Sequence, residues 1–284
     1  MMWSNRPQGV YPQERRAAGK LMQAFEEARN RHTISRGDRL LVRGAASSDL
    51  NAANPFARIR WGNALWAEFV AYFNLAEGRP YPKVPLFWVT LADIGCFTGH
   101  DAKHISIAPF AIHLRAGLGG LSYVGMFDPA YYVNIAPGTN FAERRGVNWH
   151  LHLFAWGESQ KDFKARVAAM NASTDNYRPI VPGGQGAHYN NVTAETFAIK
   201  FRYMNKTPRK AYRVGRAELR GPEGEVDFKF KQNKINLRPG ESITLFHLLK
   251  GLRLDELTVA GGEGVALRRR ALRQATRPSG RPFR

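Results

Sequence analysis

The segment Asn148-Trp149-His150-Leu151-His152-Leu153-Phe154 constrains this chain more than any other. It is apolar and aromatic and reads as a buried strand. Side chains alternate faces along a strand, so both imidazoles point the same way. Trp149, Leu151 and Leu153 take the opposite face and can enter a core. Two parallel imidazoles on a rigid strand make half of a divalent-metal site, and the other half must come from elsewhere in the fold. A His-x-His pair also occurs as two ordinary packed histidines, so the surrounding sequence has to decide.

The 284 residues suffice for one large domain or two small ones, and 44% hydrophobic content can build a core. Forty-two Lys and Arg against 23 Asp and Glu give a formal charge of +19. That excess favours a polyanionic partner, nucleic acid first and a membrane surface second. No run of about 18 apolar residues exists, so no membrane span is expected. The opening Met1-Met2-Trp3-Ser4-Asn5-Arg6-Pro7 lacks the apolar stretch of a signal peptide. A lone cysteine, Cys96, excludes an internal disulfide and cysteine-based zinc sites. A cytoplasmic protein is the simplest expectation.

Apolar spacing predicts helices over 13–31 and 59–75 within a helical N-terminal region, 1–80, that ends at the prolines 80, 82 and 85. Strands are expected at 86–91, 121–127 and 149–156, and helices at 105–118 and 160–171. Residues 174–191 read as loop. A helix over 193–207 starts at Thr193 as N-cap, with Thr196 three residues on, and stops at Pro208. This order predicts an α+β fold, an antiparallel RRM- or ferredoxin-like sheet with helices on one face, across 81–212. Residues 213–267 form an accessory C-terminal region, in which Ser242 can cap a helix reaching Leu252. The basic tail 268–284 is expected to be disordered.

Three pieces line up in order: Phe87-Trp88-Val89-Thr90-Leu91-Ala92, then His150-Leu151-His152, then Lys200-Phe201-Arg202-Tyr203-Met204-Asn205-Lys206 on a helix. Their order and spacing resemble the HUH endonucleases, which include rolling-circle replication initiators, relaxases and single-strand transposases. Residues 86–212 carry the resemblance. Leu121 to Asp128 also resembles the strand that precedes the His pair in such replication proteins and often ends in an acidic residue. The chain departs from the family at Ala92, where a threonine is usual, and in the long loop between Asp128 and His150. Phe197 and Phe201 fill positions where tyrosines can stand, which leaves Tyr203 as the candidate nucleophile and Tyr212 or Tyr189 as substitutes.

The resemblance implies that a tyrosinate attacks a DNA phosphodiester, becomes linked to the 5′ phosphate and frees a 3′ hydroxyl. Phenol is a weak nucleophile near neutral pH, with a pKa of about 10. A divalent metal, manganese or magnesium, held by His150, His152 and a carboxylate would polarise the phosphate. Asp128 is the expected carboxylate; Glu195 and Asp93 are alternatives. Lys200, Tyr203 and Lys206 are three apart and would share a helix face, where an ammonium favours tyrosinate. Thr90 has a structural part in any reading.

Arg144, Arg145, Arg209, Lys210 and Arg213, with Arg216, are candidate DNA-backbone contacts; a solvated basic surface accounts for any one of them equally well. Trp149 and Tyr123 could stack on bases, although core packing explains both. His100 and His104 could form a second metal pair if helical, but Gly99 and Asp101 favour loop; His113, His188 and His247 have no sequence partner. The expected partner is single-stranded DNA. The sequence has no phosphate loop, so unwinding would need a separate helicase. The competing expectation is a non-catalytic nucleic-acid-binding protein on the same sheet. A polymerase or primase would want Asp-x-Asp on a strand, which the sequence lacks.

Overall fold

Two twelve-residue strands, β3 (Ser122–Val133) and β4 (Arg145–Trp156), pair antiparallel along their whole length and form the spine of the computed structural model. The structure describes residues 10–28, 32–44, 49–75, 85–100, 105–134, 145–220 and 226–277. Eight strands join in one mixed sheet with the main order β5-β1-β4-β3-β6-β7. Here β1 is Leu86–Leu91, β5 is Ala187–Asn191, and β6 (Lys210–Arg220) and β7 (Val226–Asn236) form a hairpin. A short β2, Phe97–Gly99, continues the β1 edge of β4, and β8, Thr258–Gly261, lies on the far edge of β3. The expected wholly antiparallel sheet is corrected at one place, because β6 runs parallel to β3 through Tyr131↔Ala211 to Val133↔Arg213.

The far edge of β3 is shared. β8 takes Tyr123 to Met126 and β6 takes Tyr131 to Val133, leaving 127–130 between them. That interval suits Pro129, which has no N–H to give a partner strand. The opposite edge of β4 is also broken. β1 ends at Leu91, opposite Leu151, and β2 begins at Phe97, opposite Asn148.

The helices are α1 (Val10–Glu27), α2 (Arg36–Val42), α3 (Pro55–Tyr72), α4 (Ala108–Arg115), α5 (Gln160–Ala172), α6 (Ala194–Asn205), α7 (Pro239–Lys250), α8 (Leu254–Leu257) and α9 (Gly264–Thr276). Asn54 caps α3 by accepting from the Phe56 and Ala57 amides, and Pro55 fits the first turn, where no N–H is needed. Phe69 of α3 meets Phe73, Phe154, Trp156, Phe197 and Phe201 at ring separations of 5.4–6.4 Å. This aromatic block fastens α3 and α6 to the histidine-bearing face of β4. On the other face Phe163 of α5 stacks on Phe87 at 4.1 Å. Helices therefore cover both faces rather than one, because β1 and β4 are apolar on both sides.

Several expected boundaries shift. The first helix ends at Glu27, and the helix expected over 105–118 is α4 followed by a tight 3-10 turn, Ala116–Leu118. Residues 187–191, read as loop, form β5, whose alternation is polar on its exposed side. Ser242 is not a cap: α7 starts at Pro239, with Arg238 as its cap residue. The strand β6 crosses 212/213, and β8 and α9 add to the sheet and core. Arg268, Arg269 and Arg270, expected in a disordered tail, lie in α9, where Leu267, Ala271 and Ala275 at i, i+4 and i+8 are buried. No helix of the described residues is long and apolar enough to cross a membrane.

Phe69→Ala would open a cavity at the centre of the aromatic block. It is expected to cost about 3–5 kcal/mol, read as a lower urea midpoint at unchanged slope.

Candidate metal and tyrosine site

Register builds the centre of the site. Asp128 of β3 lies directly opposite His150 of β4, and Thr90 of β1 lies opposite His152. As expected, both histidines face one way and Trp149, Leu151 and Leu153 face the other, each fully buried. His150 Nε2 and His152 Nε2 are 2.9 Å apart, and each lies 3.8 Å from Asp128 Oδ2. A circle through these three atoms has a radius of about 2.1 Å, the length of a bond from a divalent metal to imidazole or carboxylate. The donor set therefore fits a metal ion. Two imidazoles and a carboxylate are accepted by several divalent ions, so the donors leave its identity open.

The surroundings orient the donors. Thr90 Oγ1 is 3.0 Å from His152 Nδ1. In the tautomer with Nε2 free for a metal, Nδ1–H donates to that hydroxyl, the usual means of fixing a ligating ring. Trp88 stacks on His152 at 5.3 Å. Burial pushes His150 down to about 4, only partly opposed by Asp128, and pushes His152 well below the usual imidazole range, helped by His150 and Lys206. Both rings are thus neutral, the form that ligates. Burial pulls Asp128 up, but the Lys206 ammonium in contact with it and the Arg58 guanidinium hold it below the usual carboxylate range.

The third element is α6. Its predicted cap is present: Thr193 Oγ1 accepts from the Thr196 amide, and the Thr193 amide donates to Thr196 Oγ1. Phe197, Phe201 and Met204 are buried on one side, so the two phenylalanines at possible tyrosine positions are core residues. Tyr203 meets the site instead, its ring 5.0 Å from His152. The helix ends at Asn205 and Lys206 is extended, so Lys206 does not continue the helix face as expected. Its ammonium instead donates to Asp128 Oδ2 at 2.6 Å and lies 3.9 Å from the Tyr203 ring. Lys200 is further out, 5.7 Å from the Trp88 ring. A cleft of about 350 Å³ opens on His150, His152, Tyr203 and Tyr212, walled by Ile180 and Gln232.

Three contributors escaped the sequence reading. Lys234 of β7 donates to the Tyr203 hydroxyl at 3.1 Å and lies 5.3 Å from the Tyr212 ring. The alternation Phe228, Phe230, Gln232, Lys234 after the sequence Gly-Pro-Glu-Gly was the signal for it. Arg58, buried on α3, donates to the Ala52 and Lys206 carbonyls at 2.7 and 3.3 Å. Glu14 of α1 accepts from the Thr207 amide at 3.0 Å and from its hydroxyl. Local sequence carries no sign that these last two hold the end of α6.

Other candidates lie elsewhere. Glu195 is exposed and bonded to Thr193, away from the histidines. Asp93 is fully buried and accepts from the Gly95 amide and from the amide and guanidinium of Arg178, with His113 at 3.2 Å. It holds the 3-10 turn Ile94–Cys96 rather than a metal. Tyr189 packs on Phe87 and Phe163, across the sheet from the histidines, whereas Tyr212 lines the cleft stacked on Tyr132 at 4.9 Å. Arg145 and Lys210 are exposed, with Lys210 bonded to Asn236. Arg209 donates to the Gln13 carbonyl and Arg213 pairs with buried Glu241, so both guanidinium groups serve internal contacts. Arg144 and His104 lie outside the described residues; His100 and His188 are exposed, and His247 is on α7.

Below pH about 6.5 the unfolded chain gains protons that the two buried rings refuse. Stability is therefore complete above that pH and falls as pH drops toward about 4 for His150, by roughly 1.4 kcal/mol per pH unit for each proton. His150→Gln should flatten this dependence in urea melts taken across the window; an unaltered slope would show that His150 does not contribute. Manganese should raise the melting temperature of the protein in a calorimetric scan, and Asp128→Asn should remove most of that increase.

Comparison of the chain with protein-family models, with curated proteins and with solved structures found no match.

Proposed function

We propose that this chain is a metal-dependent enzyme that nicks and joins single-stranded DNA through a tyrosine–phosphodiester intermediate. The observation that carries this reading is the meeting of Tyr203 with His150 and His152 in one cleft, with Asp128 beside His150 in an adjoining small pocket that Tyr203 also lines. A buried triad alone could be a metal site of many kinds. A tyrosine beside it, with two lysines on that tyrosine, fits phosphoryl transfer in particular. The order of these elements also agrees with the resemblance to HUH endonucleases.

In this mechanism the Tyr203 hydroxyl loses its proton to water and its oxygen attacks phosphorus. The new bond links the tyrosine to the 5′ phosphate, the P–O3′ bond breaks, and the 3′ hydroxyl departs. Joining reverses these steps with a second 3′ hydroxyl. His150, His152 and Asp128 would hold a manganese or magnesium ion, which would polarise the phosphate oxygens. Lys234 orients the phenol through its hydrogen bond. The formal charge of +19 supports an electrostatic hold on the DNA backbone, with Arg145 and Lys210 as exposed contributors. Unwinding of duplex DNA is left to a separate helicase.

One observation favours a second reading. The Lys206–Asp128 ion pair leaves the cluster internally compensated, as in a nucleic-acid-binding protein that has no use for a metal.

The deciding experiment incubates the protein with end-labelled single-stranded oligonucleotides and manganese and resolves the products on a denaturing gel. A covalent adduct should form with the wild type and disappear in Tyr203→Phe. An adduct that survives in that variant moves the nucleophile to Tyr212. No adduct across a broad oligonucleotide pool, together with strongly salt-dependent binding, supports the second reading.

A further inference from the structure

Asp128 Oδ2 is claimed twice. It is one of three atoms that converge at metal-bond length, and it also accepts the Lys206 ammonium at 2.6 Å. A dication seated among the three donors would stand within about 5 Å of that ammonium, since it lies one metal–oxygen bond from the oxygen that the ammonium touches. Arg58, buried at 4% exposure, adds a further positive charge that acts on Asp128. Even with buried Glu14 acting on Arg58, two carboxylates cannot balance a dication, an ammonium and a guanidinium in a buried pocket. Arg58 cannot leave, because it is fixed to two backbone carbonyls. Lys206 can. It follows the end of α6 in extended conformation, carries a flexible stem, and already lies over the ring of Tyr203, which lines both the small pocket of Asp128 and the cleft.

We propose that Lys206 and a divalent cation are alternative partners of Asp128, so that loading the metal releases the Lys206 ammonium toward the cleft beside Tyr203. This rests on the metal reading above and adds its regulation. Without metal the lysine neutralises the buried carboxylate and keeps the triad folded. With metal the same lysine becomes a cation free to meet substrate phosphate. The released charge appears beside Tyr203 only when the site is loaded.

The sign of one measurement separates this from a supporting role. A group that merely orients a metal ligand weakens binding when removed, by about 10–100-fold. A competing cation strengthens binding when removed. Manganese binding to the full chain, measured by titration calorimetry, should be at least about tenfold tighter in Lys206→Met than in the wild type. Equal or weaker affinity in the variant overturns the proposal. The wild type supplies a second measurement that needs no variant. Reductive methylation of Lys206, followed by mass spectrometry, should speed up when manganese is added, and an unchanged or slower rate overturns the proposal. Failure of the metal reading looks different, because neither protein would then bind manganese at all.

Discussion

The antiparallel ladder between β3 and β4 is the constraint on which the rest depends. It sets Asp128 against His150 and Met126 against His152 in a single register. A slip of one residue would turn Asp128 to the opposite face and would bring His150 and His152 out of step with it. Twelve paired positions, nearly all buried, fix that register far more firmly than the site could fix itself. Gly125 contributes a detail: a Cβ there would lie 2.3 Å from that of its partner Leu153, so the strands approach closely just before the site. The cluster is a by-product of sheet packing and needs no loop to assemble it.

Placing three polar donors in an apolar sheet has a cost that the neighbouring helices offset. Each donor has company: Thr90 and Trp88 on His152, Lys206 on Asp128, and the charge of Arg58 behind them. Arg58 and Glu14 in turn hold the backbone just after α6. The buried charges therefore form a chain of contacts from α1 through α3 to the sheet, and removing one member strands another in a place without water. The two neutral histidines avoid that cost by giving up their protons.

Much of the centre was legible in sequence because it depends on local pattern. Alternation in 148–154 gave the strand and the common face of His150 and His152. Thr193 with Thr196 gave the start of α6, whereas Asp128 came from the resemblance to HUH replication proteins and lies within β3 rather than at the end of a strand. The losses have physical causes. The strand β5 is an edge strand with polar positions, so its alternation is weak. The strand β7 lies in a segment read only as an accessory region, so Lys234 was not connected with the site. The parallel pairing of β6 with β3 covers only three residue pairs and leaves no mark in either sequence. The tail looked disordered because its arginines outnumber its apolar residues, yet Leu267, Ala271 and Ala275 fall on one helical stripe. Glu14 and Arg58 act through contacts that no local pattern encodes.

The bond between Glu14 and Thr207 spans 193 residues of chain. Between Glu14 and its partner in sequence lie β1 to β5, most of the sheet around the cluster. The ladder of β3 and β4 can form from neighbouring segments, with only a loop to close between them. The end of α6, which carries Lys206 to Asp128, is held instead by groups far away in the chain, Arg58 of α3 on the Lys206 carbonyl and Glu14 of α1 on Thr207. The Asp128-His150-His152 cluster thus needs only the ladder, whereas the placing of Tyr203 and Lys206 also needs contacts from distant segments. A chain with only the ladder paired would set its histidines against Asp128 without setting Tyr203 beside them.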